Sequence, residues 1–206
     1  TGTVTRLTAA LARPRAVAAA CIVALTASGW CALALMTVDP LAWLQVLCRP
    51  GASGGWSAAM LAVPMWMAMV LAMMLPTAGP MILTYAEIAD TAARKGEAAV
   101  STLVLMSGYL AAWLGFALAA AMLQQGLAGL GLLDGGAGGM LFAGAIFVGA
   151  GLYQFSALKR ACLTLCQRPF PFFFSNWTTE QFGVLRLGLR QGLHCVGCCW
   201  AMMMVM

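Results

Sequence analysis

The sequence predicts an all-α protein: a polytopic bundle of transmembrane helices, with five spans in the given chain, forming a single domain over residues 1–206. Three observations predict it. Composition is 63% hydrophobic and 8% charged, with a mean hydropathy of +0.91, against about 25% charged in an ordinary soluble domain. Apolar residues gather into long runs of the length a bilayer demands, roughly 20 residues at 1.5 Å rise. The few charges collect between those runs. Eleven basic residues against six acidic ones are too sparse to track phosphates, which excludes nucleic-acid binding, and a lone His excludes histidine-rich sites.

The first span is expected at 16–38, uncharged up to Asp39. It is longer than the apolar core of a signal peptide, and no small-residue cleavage site is followed by a polar start. The second, 56–85, carries Pro64, Pro76 and Pro80, and a bend or irregular turn is expected near Pro76 or Pro80, because a proline inside a helix removes a donor and clashes with the preceding turn. The third is expected at 98–124 and the fourth at 140–158. The fifth begins at 193 and is still apolar at Met206. At about 21 Å it falls short of crossing, so a continuation and one further apolar segment are expected beyond the given C-terminal end.

The connections differ in kind. Residues 39–55 hold Pro40, Trp43 and Pro50 and read as an outer interfacial segment. Residues 87–97 read as a short polar turn, and 124–139 as a Gly- and Leu-rich outer loop. Residues 159–192 mix Cys, Arg, Pro and aromatics and read as a surface-lying or re-entrant piece. With the N-terminus inside, ten of the eleven basic residues fall on the cytoplasmic side, all but Arg49, and the positive-inside rule decides the orientation. All six carboxylates fall in expected connections, which argues against a proton relay through the bilayer. Small residues at four-residue spacing, Ser107, Ala111 and Gly115 beside Gly108 and Ala112, and Ala145 and Gly149 near Gly144 and Gly151, predict close helix packing.

Chemistry concentrates in sulfur. On a regular helix Met65, Met69 and Met73 form one ladder. Thioethers are neutral soft donors, tolerable in lipid and matched to copper(I), although Met is also a common core filler. The fifth span opens with His194, Cys195, Cys198 and Cys199, the three thiols on one face within a turn. Cys162 and Cys166 stand at i and i+4 beside Lys159 and Arg160. Both groups belong to the cytoplasmic side, where disulfides do not persist, and nearby basic residues favour thiolates. Cys162 and Cys166 are therefore expected to approach the 195/198/199 group within the reach of one ion. Cys21, Cys31 and Cys48 have no such grouping.

Three blocks carry a resemblance: WMAMVLAMMLPTAGPMILTY from Trp66, YQFSALKRACLTLCQRP from Tyr153, and GLRQGLHCVGCCWAM from Gly188. In these the chain resembles a bacterial domain-of-unknown-function family of predicted metal-binding integral membrane proteins. The resemblance covers most of the chain from Trp66 onward and implies a polytopic inner-membrane protein with a further apolar segment past Met206. The family commonly has Pro where Ala157 stands, His where Thr164 stands, and an aromatic where His194 stands. His194 is thus the imidazole available to replace the missing one.

The leading expectation is a multi-pass protein of the bacterial inner membrane, N-terminus cytoplasmic, that binds or relays a soft metal ion. Copper(I) is the first candidate and zinc the second, with Cys162, Cys166, Cys195, Cys198, Cys199 and His194 as one site and Met65, Met69 and Met73 as a neutral path or second site. Its partners are then the lipid bilayer, the metal ion and other membrane-complex subunits, and no nucleic acid. The alternative is an accessory subunit of a larger membrane complex (an oxidase, a monooxygenase or a photosynthetic assembly) with no metal site and cysteines serving only as packing. A third reading is a thiol oxidoreductase using Cys195 and Cys198; neither of the first two readings is catalytic.

Overall fold

The computed structural model describes residues 14–38, 56–96, 98–133 and 136–205. The expected interfacial segment with Trp43, Arg49 and Cys48, the first two arginines, Glu97, Asp134 and the terminal Met206 lie outside them. Helices and turns are the only elements among the described residues: α1 (Pro14–Val38), α2 (Trp56–Met69), a π-helical turn (Val70–Met74), α3 (Leu75–Arg94), α4 (Thr102–Gly129), α5 (Ala137–Tyr153), α6 (Ala157–Gln167), α7 (Pro169–Ser175) and α8 (Gln181–Val205). Three stretches are long and apolar enough to cross a membrane, at Arg15–Met36, Ala62–Arg94 and Thr102–Gly129. A fourth joins them if the bent pair α5–α6 is taken as one.

The irregular turn expected in the proline-rich helix is present, and it lies just before Pro76 rather than on it. The Leu75 N–H reaches back to the Val70 carbonyl, an i to i−5 bond that widens the turn by one residue. Pro76 then falls in the first turn of α3, where a missing N–H costs nothing within the helix. Thr77 and Thr84 donate to the carbonyls of Met74 and Pro80. Gly29 of α1 lies against the wide turn: a Cβ there would stand 2.7 Å from Ala72 N and 2.9 Å from Ala68 O. Downstream, α3 runs on to Arg94, so Glu87 and Asp90, expected in a turn, are helical. Glu87 pairs with Arg15 of α1 at 2.5 Å, and Asp90 pairs with Arg94 one turn on. Gly96, at φ 76°, adopts the left-handed conformation that closes a helix.

The centre of the fold is the pairing of α4 with α8, its most extensive helix contact. Ser101 caps α4 by accepting the Leu103 N–H at 3.3 Å. The two backbones approach where side chains are absent. A Cβ on Gly188 would collide with the Leu105 carbonyl, one on Gly108 with the Leu185 carbonyl, and one on Gly192 would come within 2.8 Å of the Tyr109 carbonyl. The face used is therefore that of Gly108 and Ala112, while Ser107 and Ala111 are exposed and Gly115 has nothing near it. The expected ladder of the fourth span is likewise unused, with open space at Gly144, Gly149 and Gly151.

The last third departs most from expectation. The fourth span breaks after Tyr153 and bends by 62° into α6, which Ser156 caps by accepting the Lys159 N–H at 3.1 Å. The aromatic run forms the short α7, whose Phe173 packs on Tyr85 with ring centroids 5.5 Å apart; Trp177 lies 5.8 Å from the same ring. Residues 170–177 thus sit at the end of the bundle that carries Arg94, the same end on which the basic residues were expected to gather. The final helix begins at Gln181 and not at 193. Its first half is amphipathic: Val184, Leu187, Gly188 and Gln191 are buried while Arg186 and Arg190 point out. α8 is not among the described helices long and apolar enough to cross a membrane.

Candidate metal centre

The centre is built by α8 and α6 against α4. Cys195 and Cys198 are three residues apart, so both fall on the buried face of α8, at 8% and 2% exposure. The 62° bend swings α6 back across α8 and brings Cys166 in from the side. The sulfurs of Cys166, Cys195 and Cys198 all lie within 4.8 Å of one another. Cys199 adds a fourth sulfur, 3.3 Å from that of Cys198. Cys162 lies one turn earlier on α6, where a Cβ on Gly197 would meet its sulfur at 2.9 Å. A side chain at Gly197 would require the Cys162 sulfur to move aside. Tyr153 locks the same corner by donating to the Gly197 carbonyl, and its ring stacks edgewise on Trp200 at 5.2 Å.

Thiol hydrogen bonds are already organised. Cys198 lies 3.2 Å from the Cys195 carbonyl and donates to it. The Tyr109 hydroxyl of α4 lies 3.2 Å from the Cys195 sulfur and 3.1 Å from the Met74 carbonyl, which accepts from it. A phenol has one hydrogen. With that hydrogen on Met74, the Cys195 thiol donates to the phenol oxygen. Should Cys195 lose its proton, the phenol hydrogen is placed to turn toward the sulfur. Tyr109 therefore links the thiols to the last residue of the π turn. Lys159, at the start of α6, is near enough to act electrostatically on Cys199.

The other residues singled out from the sequence have different places. His194 lies edge-on to Phe172, ring centroids 6.1 Å apart. Its Nδ1 is buried with no partner among the described residues, and it is not one of the donor atoms within 4.8 Å of the three sulfurs. Thr164 is exposed and bonds the Arg160 carbonyl. Met65 and Met69 line a common cavity, which Met73 does not. A ladder through all three requires about 100° per residue throughout, and the wide turn between Met69 and Met73 breaks that phase. Cys21 and Cys31, on α1, are free and apart from the group. Tyr109 and Tyr153 are contributions that sequence reasoning missed. A buried tyrosine must find a polar partner, which is the signal that would have drawn attention to Tyr109 in an otherwise apolar run.

Three to four sulfurs, two of them buried, with no carboxylate among them, form a donor set for soft metals: thiolates select copper(I), zinc and iron–sulfur clusters over hard cations. One ion at about 2.3 Å from each sulfur requires sulfurs roughly 3.5–4 Å apart, against separations of at most 4.8 Å here. The fold and site thus define an all-helical protein with a buried cysteine cluster of the metal-binding type. A family model described as PpoB2, copper chaperone, matches residues 63–206, and the chain belongs to that family. The match takes in every cysteine of the cluster and leaves out α1. No curated protein and no solved structure matches the chain. The family's description suggests a non-catalytic role.

Proposed function

We propose that the protein is an integral protein of the bacterial cytoplasmic membrane that holds and passes on copper(I), with Cys166, Cys195 and Cys198 as thiolate ligands and Cys199 and Cys162 at the edge of the same pocket. The observation that carries this reading is the convergence of sulfurs from two helices to within 4.8 Å of one another in a chain of a copper-chaperone family. The membrane reading rests on the long apolar helices and on their exposed apolar faces, such as Leu114, Met122 and Leu123 of α4, which lipid would cover. The N-terminus would face the cytoplasm, with the basic residues of α6 and α8. Copper is cargo here, and the fit is by donor chemistry: thiolates bind it tightly, yet several neighbouring sulfurs permit stepwise exchange. An accessory subunit whose cysteines serve only packing would leave the sulfurs dispersed.

The test is metal content by mass spectrometry of protein purified from membranes of copper-supplemented cells. Wild type and Cys31→Ser should carry equal copper, and a Cys166→Ser/Cys195→Ser/Cys198→Ser variant should lose most of it while still inserting in the membrane. Undiminished copper in the triple variant would refute the thiolate site. Zinc in place of copper would refute the choice of ion. Recovery of the wild-type chain in the soluble fraction would refute membrane integration.

A further inference from the structure

A second sulfur-lined space lies beyond the cysteine cluster. It is a cavity of about 540 Å³ between α2, α4, α5 and α8. Met65 and Met69 enter it from α2, Met140 from α5 and Met204 from α8. None of its lining residues is a carboxylate, an imidazole, a thiol or a cation. The polar groups on its wall are those of Trp66 and Gln124, and they are spent on each other: the Trp66 indole N–H donates to Gln124 Oε1 at 2.9 Å. That bond, with an edgewise Phe116 at 6.0 Å, fixes the Trp66 ring in the wall beside the thioethers. Met204 stands six residues past Cys198 on α8, about 9 Å along the helix.

We infer that this cavity is a second copper(I) site, of thioether type, separate from the thiolate pocket. Donor chemistry and charge together lead to it. Four methionines of three helices line a space with no anion among its lining residues, Met140 at its exposed rim (66%), so a divalent cation would enter uncompensated. A monovalent soft ion is matched by neutral thioethers. Thioethers carry no proton and no charge, so copper enters and leaves without a change of oxidation state and without proton release. The site is therefore the weaker of the two. Met204 lies past the cysteine cluster on α8, on the far side of it from Arg186 and Arg190. The choice of ion rests on the copper(I) reading above.

The test uses the full chain labelled with selenomethionine and loaded with copper(I) alone, so that copper X-ray absorption separates selenium from cysteine sulfur neighbours. The Cys166→Ser/Cys195→Ser/Cys198→Ser variant should retain copper with selenium neighbours, bound more weakly against a chromophoric copper(I) chelator than in wild type. Adding Met65→Leu, Met69→Leu, Met140→Leu and Met204→Leu, swaps that keep side-chain volume, should abolish that copper. No copper in the cysteine variant, with a purely sulfur shell in wild type, would overturn the thioether site and leave the thiolate pocket standing. A selenium shell that survives the four Met→Leu changes would overturn it as well. Copper held by selenium alone in wild type, indifferent to the cysteine changes, would uphold the cavity and refute the thiolate reading.

Discussion

Removing one oxygen atom from Tyr109 separates what the phenol does for the fold from what it does for the thiols. In Tyr109→Phe the ring keeps its buried place, at 1% exposure, and two hydrogen bonds disappear. The Met74 carbonyl keeps a donor, because the Thr77 hydroxyl already bonds it at 2.7 Å. No acceptor is orphaned there, so the cost to stability is that of an ordinary bond, about 0.5–1.5 kcal/mol. The effect on metal is different in kind. Bare Cys195 has a neutral bond to the phenol, whereas a metal-bound thiolate would have a charge-assisted one, worth about 1.5–3 kcal/mol. The difference, about 1–1.5 kcal/mol, is the share that weakens binding, or about five- to twelve-fold in the copper(I) dissociation constant. Competition with a chromophoric copper(I) chelator measures it, with the thermal midpoint recorded on the same samples. A lowered midpoint with unchanged copper affinity would refute the reasoning and leave Tyr109 as a packing residue.

Two further outcomes test the fold. Gly188→Leu should prevent the normal α4–α8 crossing, because its Cβ would overlap the Leu105 carbonyl and backbone cannot give way as a side chain can; the loss should exceed the roughly 1–3 kcal/mol of ordinary overpacking. Gly115→Ala, with nothing within 4 Å, should be neutral or slightly stabilising through helix propensity. Denaturation of both variants checks this, and equal stability would refute the crossing. Arg15→Ala should cost less than about 1 kcal/mol, since both side chains of its pair with Glu87 are more than half exposed, at 59% and 58%; a larger fall in the midpoint would show that the pair anchors α1.

What was legible in the sequence follows from which forces are local. Apolar runs announced the long helices, and proline announced the irregular turn, because both act within a few residues. The two cysteine groups announced themselves by donor type. Their convergence could be argued from topology, yet its means, the 62° bend after Tyr153, is tertiary. The early start of α8 was legible and hidden at once. Val184, Leu187, Gly188, Gln191, Cys195 and Cys198 repeat at helical spacing, but Arg186 and Arg190 on the other face lowered the mean hydropathy of the window. Hydropathy sums both faces of a helix, and only periodicity separates them. The small residues behave alike: spacing marked two candidate faces on α4, and only the partner helix decides which is used. Met140 and Met204 lie far apart in sequence from Met65, and nothing local joins them.

The wide turn at Val70–Met74 has a consequence for how this rod can change in length. It holds one residue more than an unbroken α-helix would need between the same two faces. Removing one residue elsewhere in Trp56–Arg94 would rotate everything beyond the deletion by about 100° and turn a buried stripe toward the outside. Removing one inside the wide turn would leave both flanking stripes in phase and convert the turn to plain α-helix. The fold would survive the excision. The casualty would be the local displacement of the Met74 carbonyl that meets Tyr109. The supernumerary residue therefore sets the backbone around the Met74 carbonyl that Tyr109 meets.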